Sequence, residues 1–570
     1  MIGADILLKS LLEEGVEVIF GYPGGVTIPF HDRLPNYKIK HILPRNEQGA
    51  AMAADAYFRV TGKPGVCLST SGPGATNLVT GIANAYLDSV GIVAITCQVN
   101  SQVYGTDAFQ EINMTSVTKD ITKKNYFVKN VEDLPGIIKE AFYLAKNGRP
   151  RPVHIDIPVD VLRAKVDKFC YPKKINWEKN AIPQEAPSKD IEKAIELIKK
   201  SKKPIAIVGH GIILSGATQE LKKFVEFWKI PFVTTLLGIG ALPDRHPLNF
   251  RMVGMHGMAY ANMAVHDTDL IIAIGTRFSD RITGSLDHYA KNSKVIHIEI
   301  DPREIGKNVK VDAGLLGDCK RILEQLNDKN FSSKNESQKR NVFHEKWIGK
   351  IRKWHKESCL VEIKSEAETR RKKYLMPYDI LEEIGRVAKK DAIIISDVGQ
   401  NQMWTAHYID YSYPGQFLSS GGLGCMGYSL PAAIGAKIGK PQKDVWAVMG
   451  DGGFQMNMQE LGTIMEQKLP IKIIILNNGY LGMVRQWQEL FFNKNYIATK
   501  LDNPDFSKIA KVYGIESHRI SDLEKAKAAI KKAGQSKKAV FLEFLIEPEN
   551  NVYPMMPPGG SLKDTMIKEC

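Results

Sequence analysis

At 570 residues the chain is too long for one hydrophobic core, and its length implies about three or four domains. Its 44% hydrophobic and 25% charged residues are ordinary for a globular protein, and no apolar stretch approaches the roughly 20 residues of a membrane span. The net charge of +14 invites nucleic acid as a partner, but fourteen Lys and Arg against seven Asp and Glu lie between Asp328 and Lys373 with no Arg–aromatic array, so a solvated basic helix or linker is expected there and no nucleic acid.

The N-terminus moves straight into an amphipathic helical pattern, without a basic stretch and apolar core of secretory type. Short β-branched runs then alternate with helical stretches, the pattern of α/β domains with parallel sheets. A first set comprises Val16–Phe20, Ile39–Leu43, Val66–Ser69, Ile92–Thr96 and Val153–Ile157, and it decays into a polar linker at Lys165–Lys189. A second set comprises Ile205–Val208, Phe232–Thr235, Leu270–Ile274 and Val295–Ile300. Beyond the basic segment a third follows: Ala392–Ser396, Val445–Met449, Ile471–Leu476 and Val540–Ile546. Three doubly wound parallel-sheet domains are therefore expected, over residues 1–165, 190–325 and 374–550, with a tail at 551–570. The seven cysteines are scattered and form no C-x-x-C pair, which argues against a metal site or disulfide framework and for a reducing, cytoplasmic setting.

The strongest chemical signal is Gly450-Asp451-Gly452, followed after 24 residues by Asn477-Asn478. Each lies at the end of a buried strand, where parallel sheets bind ligands. The glycines admit a phosphate close to the backbone, and a helix start offers N–H groups. Asp451 and Asn478 would give a hard cation one charged and one neutral oxygen, which suits Mg²⁺ bridging to a diphosphate. A lone G-D-G is a weak signal; the strand–G-D-G–helix–strand–N-N order is a strong one. Two more strand-end loops, Asp397-Val398-Gly399-Gln400 and Gly422-Leu423-Gly424-Cys425-Met426-Gly427, extend the cradle. Glu47 opens a helix of small residues after Ile39–Leu43, and taken alone it reads as an ordinary capping residue. Small residues permit close helix packing, consistent with a subunit interface.

With these residues in hand the chain resembles the acetolactate synthase catalytic subunits, thiamine-diphosphate enzymes, from about Gly3 to Met566. The most specific pieces are Arg45–Ala54, Thr70–Asn77, Gly105–Glu111, Gly254–Gly257, Arg277–Arg281, Leu481–Gln488 and Asn551–Met555. The resemblance implies a pyrimidine-binding, a central FAD-binding and a diphosphate-binding domain. Implied cofactors are thiamine diphosphate, Mg²⁺ and a structural FAD. The implied activity decarboxylates pyruvate and transfers the hydroxyethyl unit to pyruvate or 2-oxobutanoate, giving 2-acetolactate or 2-aceto-2-hydroxybutanoate for branched-chain amino acid biosynthesis. A homodimer or dimer of dimers and a regulatory small subunit are implied as partners.

Residue by residue, Asp451, Asn478 and the Tyr480 carbonyl would hold the metal. Val398, Gly399, Gln400, Asn401 and Gly424 would cradle the cofactor from one side, and Gly452, Gly453, Leu481, Gly482 and Met483 from the other. Glu47 would promote the cofactor's ionisation, and Met426 would prop it in its bent shape. Phe109, Gln110, Met255, Arg281 and Trp487 would line the substrate site, with Arg281 gripping a 2-oxo acid carboxylate and Trp487 meeting the acceptor's alkyl group. Flavin candidates are Gly209, Gly211, Thr235, Leu236, Arg277, Asp301 and Asp318. Val159 stands where the family usually has Lys and Asn401 where it has His; Val159 bears most on acceptor choice. The rivals are another thiamine enzyme carrying FAD, such as a dione hydrolase, and a silent paralogue, which should have lost Glu47, Asp451 or Asn478.

Overall fold

The computed structural model describes residues 1–174, 183–328, 334–358 and 373–567, with side chains of 334–341 excepted. The middle of the expected linker, residues 175–182, and residues 329–333 and 359–372 of the basic segment lie outside the described residues.

Three parallel six-stranded sheets are present. The first contains β1 (Val18–Gly21), β2 (Lys40–Ile42), β3 (Gly65–Ser69), β4 (Ile92–Gln98), β5 (Lys124–Phe127) and β6 (Val153–Pro158), in the order β2-β1-β3-β4-β6-β5. The second contains β7 (Pro204–Val208), β8 (Phe232–Thr234), β9 (Asn249–Met252), β10 (Leu270–Ile274), β11 (Lys294–Glu299) and β12 (Ala313–Leu316), ordered β12-β11-β10-β7-β8-β9. The third contains β13 (Ile393–Ser396), β14 (Phe417–Leu418), β15 (Val445–Gly450), β16 (Ile471–Asn477), β17 (Glu516–Ile520) and β18 (Val540–Leu545), ordered β14-β13-β15-β16-β18-β17. In each sheet the chain winds outward one way, returns to the middle and winds the other way. The reversals fall between β1 and β3, β7 and β10, and β13 and β15, and such switch points open crevices at the strands' carboxyl ends.

Every strand absent from the sequence-based assignment is a sheet edge: β5, β9, β12, β14 and β17. An inner strand of a covered parallel sheet is buried on both faces and reads as a continuous apolar run. All seven residues of β16 are buried, whereas all four of β5 are half-buried and β17 buries only Ile520.

The described chain forms two compact units. One holds the first and third sheets (Met1–Ala181, Val387–Gln402 and Leu418–Leu545), the other the second sheet and the C-terminal tail (Ile182–Arg386, Met403–Phe417 and Ile546–Cys570). In the first, the alanine-rich helix Glu47–Thr61 packs on helix Ser429–Gly439. The approach is so close that a Cβ at Gly435 would overlap the Ala53 carbonyl. The small-residue face thus makes a contact within the chain.

In the second unit, the basic segment forms a helix, Lys334–Glu357, that is not merely solvated. Trp347, Ile348 and Ile351 are buried, Trp347 Nε1 donates to the Pro204 carbonyl at 3.1 Å, and the buried His344 Nδ1 lies 2.7 Å from the Trp228 carbonyl. Lys346, Lys350, Arg352, Lys353 and Lys356 are exposed. The C-terminal tail returns to the second-sheet loops: Met556 N donates to the Met255 carbonyl at 2.7 Å and Ser285 N to the Gly560 carbonyl at 2.9 Å.

Where the first and third sheets join, Glu460 is buried with Oε1 accepting from Arg45 N at 2.8 Å and Oε2 from the Thr463 hydroxyl at 2.7 Å. Burial pushes its carboxyl from 4.5 up to about 7, against those hydrogen bonds. Across that window the folded protein keeps a proton that the unfolded chain has lost, so stability falls as pH rises through it. A Glu460→Gln variant has no proton to lose there. Its thermal midpoint should drop less than the parent's between about pH 5 and about pH 8; equal drops would refute this assignment.

Candidate active site

β15 and β16 run side by side with Gly450 opposite Leu476, so the residues that follow each strand leave the same edge of the sheet together. Asp451, the first residue of helix Asp451–Asn457, is 1% exposed. Burial pushes its carboxyl up to about 6, opposed by a hydrogen bond from Asn503 and by the N–H groups of Asp451, Asn478 and Gly479. Asn503 Nδ2 donates to Asp451 Oδ2 at 2.6 Å and to Asn477 Oδ1 at 3.1 Å. Asn477 in turn donates to the buried Glu543 at 2.7 Å, which gives it a structural place behind the tip. Asn478 donates to Gln400 Oε1 at 3.2 Å and accepts from Tyr480 N at 3.1 Å, while Gln400 donates to Gln486 at 2.9 Å. A side chain at Gly482 would overlap the Gln400 amide, so only glycine at this helix start lets Gln400 reach Asn478.

The β13–β15 reversal gathers the remaining cradle. Asn401 Nδ2 lies 3.4 Å from where a Cβ on Gly450 would stand and 3.3 Å from the Val398 carbonyl. Gly399 (φ 131°) and Gly424 (φ 78°) take left-handed backbone that other residues rarely adopt, with Val398 Cγ1 3.9 Å from the Cβ position of Gly424. Above Gly452, Leu481, Leu501 and Met426 converge, the Met426 methyl 3.5 Å from that glycine's Cβ position. Met483 is half-buried on the helix Gly482–Phe491. Gly453 has a packing role, since a side chain there would overlap Asp397. Asp397 accepts from the N–H groups of Val398 (2.9 Å), Gly427 (2.9 Å) and Ser429 (2.9 Å) and so fixes both cradle loops. Burial pushes this carboxyl up to about 6 despite the three donors.

Glu47 opens its helix with Asn46 as N-cap, the Asn46 side chain accepting from Gln48 N at 2.8 Å. Its carboxylate is buried, and Oε2 accepts from Asn77 Nδ2 at 2.9 Å. A Cβ on Gly74 would come within 3.0 Å of Oε1, and one on Gly72 within 3.0 Å of the Gln110 backbone, so Glu47 and the Gln110 loop flank the Ser71–Asn77 turn. That loop is held by Glu111, which accepts from Gly105 N (2.6 Å) and Ala108 N (3.0 Å), and by Asp160, which accepts from Ser101 N and Oγ. Val159, beside Asp160, is buried. Phe109 is 88% exposed, and Trp487 is half-buried with its ring edge-on to Phe491 at 5.7 Å.

In the second unit, Met255 N donates to the Arg281 carbonyl at 2.7 Å, which brings these two substrate candidates together; the Arg281 side chain is 62% exposed beside Asp280. The flavin candidates follow the carboxyl ends of β7, β8, β10, β11 and β12, along one edge of the sheet. At the β7–β10 reversal Gly209 and Gly211 press on Gly275, with a Gly211 Cβ 2.6 Å from Gly275 Cα. Thr235 is buried, Leu236 opens a 3₁₀ turn, and Arg277 is half-buried. Asp301 is paired with Arg303 at 2.9 Å, and Asp318 accepts from Lys320 N at 2.9 Å and Arg321 N at 3.3 Å, so both carboxylates are engaged within the protein.

Three family models match in succession: the N-terminal TPP binding domain of thiamine pyrophosphate enzymes over residues 1–117, their central domain over 191–326 and their C-terminal TPP binding domain over 397–544. A probable acetolactate synthase large subunit of Methanocaldococcus jannaschii is 44% identical over 99% of this chain and 94% of its own length. The acetolactate synthase large subunit of Corynebacterium glutamicum is 43% identical over 99% and 90%. The chain belongs to the acetolactate synthase large subunits. A plant member, acetolactate synthase 2 (chloroplastic) of Nicotiana tabacum, is 42% identical over 99% of this chain and 85% of its own.

The strand-tip residues fit the family's thiamine diphosphate. Asp451 is a buried carboxylate without an ion-pair partner among the described residues, and Asn478, with its amide oxygen, follows the end of the adjacent strand, a donor set for a hard cation. Among the described residues no three His, Cys, Asp or Glu converge, so a cation there would complete its oxygen shell from diphosphate or water. Asn77 and Asn503 were missed as functional positions from sequence, where Asp397 stood only as the first residue of a cradle loop. Asn77 ends a motif already singled out; Asn503 lies 52 residues from the carboxylate it orients, and nothing local marks it. Outer hydrogen bonds of this kind are worth about 10–100-fold in metal affinity. Asn503→Ala should therefore raise the Mg²⁺ concentration needed for thiamine diphosphate binding by roughly 10-fold, read by calorimetric titration; an unchanged requirement would deny Asn503 this role.

Proposed function

We propose that this acetolactate synthase chain decarboxylates pyruvate and joins the two-carbon unit to pyruvate or 2-oxobutanoate. The observation that carries it is the placing of Asp451 and Asn478 on adjacent strand tips, on the same sheet edge as the Val398–Asn401 loop. Mg²⁺ held by Asp451, Asn478 and the Tyr480 carbonyl would anchor the diphosphate. Bound thiamine diphosphate supplies the electron sink that lets a 2-oxo acid lose CO₂ and its remaining carbon unit attack a second carbonyl.

The chain's own residues do the rest. Asn77 occupies Glu47 Oε2, which leaves Oε1 to exchange a proton with the cofactor's aminopyrimidine ring. Met426, beside Gly452, would prop the cofactor. Arg281, with an exposed guanidinium, grips the carboxylate of the acceptor, and Trp487 meets its alkyl group. FAD in the central domain would be structural, seated at the Gly209–Gly211–Gly275 reversal, where the buried His297 Nδ1 lacks a partner. A homodimer is the active unit: Phe109 would otherwise leave the substrate site open at 88% exposure. The relatives' designation as large subunits supports a regulatory small subunit. No helix among the described residues is long and apolar enough to cross a membrane. The five free cysteines among the described residues support a reducing, cytoplasmic setting.

Glu47→Gln should lower acetolactate formation from pyruvate by about 10²–10⁴-fold, the usual worth of a positioned acid–base group. A variant within a few-fold of the parent would remove Glu47 from the chemistry. Trp487→Leu should shift the product ratio in pyruvate–2-oxobutanoate competition away from 2-aceto-2-hydroxybutanoate by about 10-fold, on the scale of a lost apolar contact; an unchanged ratio would place acceptor choice elsewhere.

A further inference from the structure

The glycine-rich loop Gly421–Gly427 carries Gly424 and Met426, yet four of its six backbone anchors run, directly or through Ser420, to the first sheet's domain. Asp88, the last residue of helix Val79–Asp88, accepts from Gly422 N through Oδ1 at 2.5 Å and from Gly421 N through Oδ2 at 3.0 Å. One turn earlier, Asn84 Oδ1 accepts from the Ser420 hydroxyl at 2.6 Å, and Ser420 Oγ accepts from Gly424 N (3.1 Å) and Cys425 N (2.8 Å). Four of the loop's N–H groups thus end, directly or through Ser420, on one helix of the other domain. At its far end the loop is tied within its own domain: Gly427 donates to Asp397, and Asn457 donates to the Gly427 carbonyl at 2.7 Å.

Asp88 is itself held in place. Arg59 Nη2 donates to its Oδ2 at 2.8 Å, and Arg59 Nε to Asp55 Oδ1 at 2.6 Å, while the Tyr428 hydroxyl donates to that same Asp55 oxygen at 2.7 Å. The side chains of Asp55, Arg59 and Asp88 are 0%, 2% and 0% exposed. Burying two carboxylates and one guanidinium is costly to desolvate, so apolar packing would serve mere cohesion at least as well. What the ions add is geometry, since a carboxylate fixed by Arg59 holds two adjacent N–H groups in one arrangement.

We propose that Asp88, fixed by Arg59 and Asp55, is a positioning residue that sets the Gly421–Gly427 loop for thiamine diphosphate. The proposal rests on this loop contacting the cofactor. Asp55 and Arg59 stand two and three turns along the helix that begins at Glu47, so one rigid helix fixes both the proton-exchanging carboxylate and the cradle.

The test is calorimetric titration of the full-length, cofactor-free enzyme with thiamine diphosphate at saturating Mg²⁺, for the parent, Asp88→Asn and Ser420→Ala. Asp88→Asn should raise the cofactor Kd at least about 10-fold, as expected for losing a charge-assisted hydrogen bond, and Ser420→Ala by about 3–10-fold. Excess cofactor should restore turnover, with the pyruvate KM within about twofold of the parent, a split that general destabilisation would not give. Ser420→Ala leaves the ion triad intact and carries the test if Asp88→Asn does not fold. A parent that binds cofactor while the folded variants match its Kd within about twofold overturns the positioning role alone. A parent that binds no thiamine diphosphate overturns the cofactor assignment and this role with it.

Discussion

The buried carboxylate of Asp451 sets the terms for the site. It sits at the tip of β15, it is withdrawn from water, and no Lys or Arg neutralises it among the described residues. An ionised carboxylate so placed is costly unless a cation joins it. Its carboxyl is accordingly pushed up, and the surrounding donors, Asn503 above all, work against that shift. The neighbouring strand brings Asn478, and the β13–β15 reversal brings the Val398–Asn401 loop. As proposed, a cation and a diphosphate would therefore share one glycine-lined crevice, because parallel strands deliver all their carboxyl ends to the same edge.

The first domain contributes through two helices. Glu47 starts one, alanines and Gly49 pack it tightly on its neighbours, and its Asp55 and Arg59 hold Asp88, the end of the second helix, which anchors the loop that bears Met426. Close helix packing, buried ions and the carboxylate proposed for proton exchange are thus consecutive properties of one fifteen-residue element. That economy explains why the segment reads so distinctively: each of its faces is constrained by something different.

What the sequence disclosed followed from burial. Inner strands such as β10, β15 and β16 are almost wholly apolar and stood out, as did the Asp451 and Asn477-Asn478 tips at the ends of β15 and β16. Edge strands did not, because β17 (Glu516–Ile520) has solvent on most of its side chains and β14 is two residues long. The basic segment misled for a related reason: its lysines conceal the stripe of Trp347, Ile348 and Ile351 that packs inward. At the site, residues at strand ends were legible. Asn503 and Asp88 were not, since their roles come from contacts 52 and more than 300 residues away along the chain.

As proposed, Asp451 would hold the metal that anchors the diphosphate. Calorimetric binding of thiamine diphosphate to the full-length protein, with and without Mg²⁺, for the parent and Asp451→Ala, measures that anchor. Binding that requires Mg²⁺ in the parent and disappears in Asp451→Ala is the predicted result. Tight binding without Mg²⁺, or undiminished by the loss of Asp451, would contradict it.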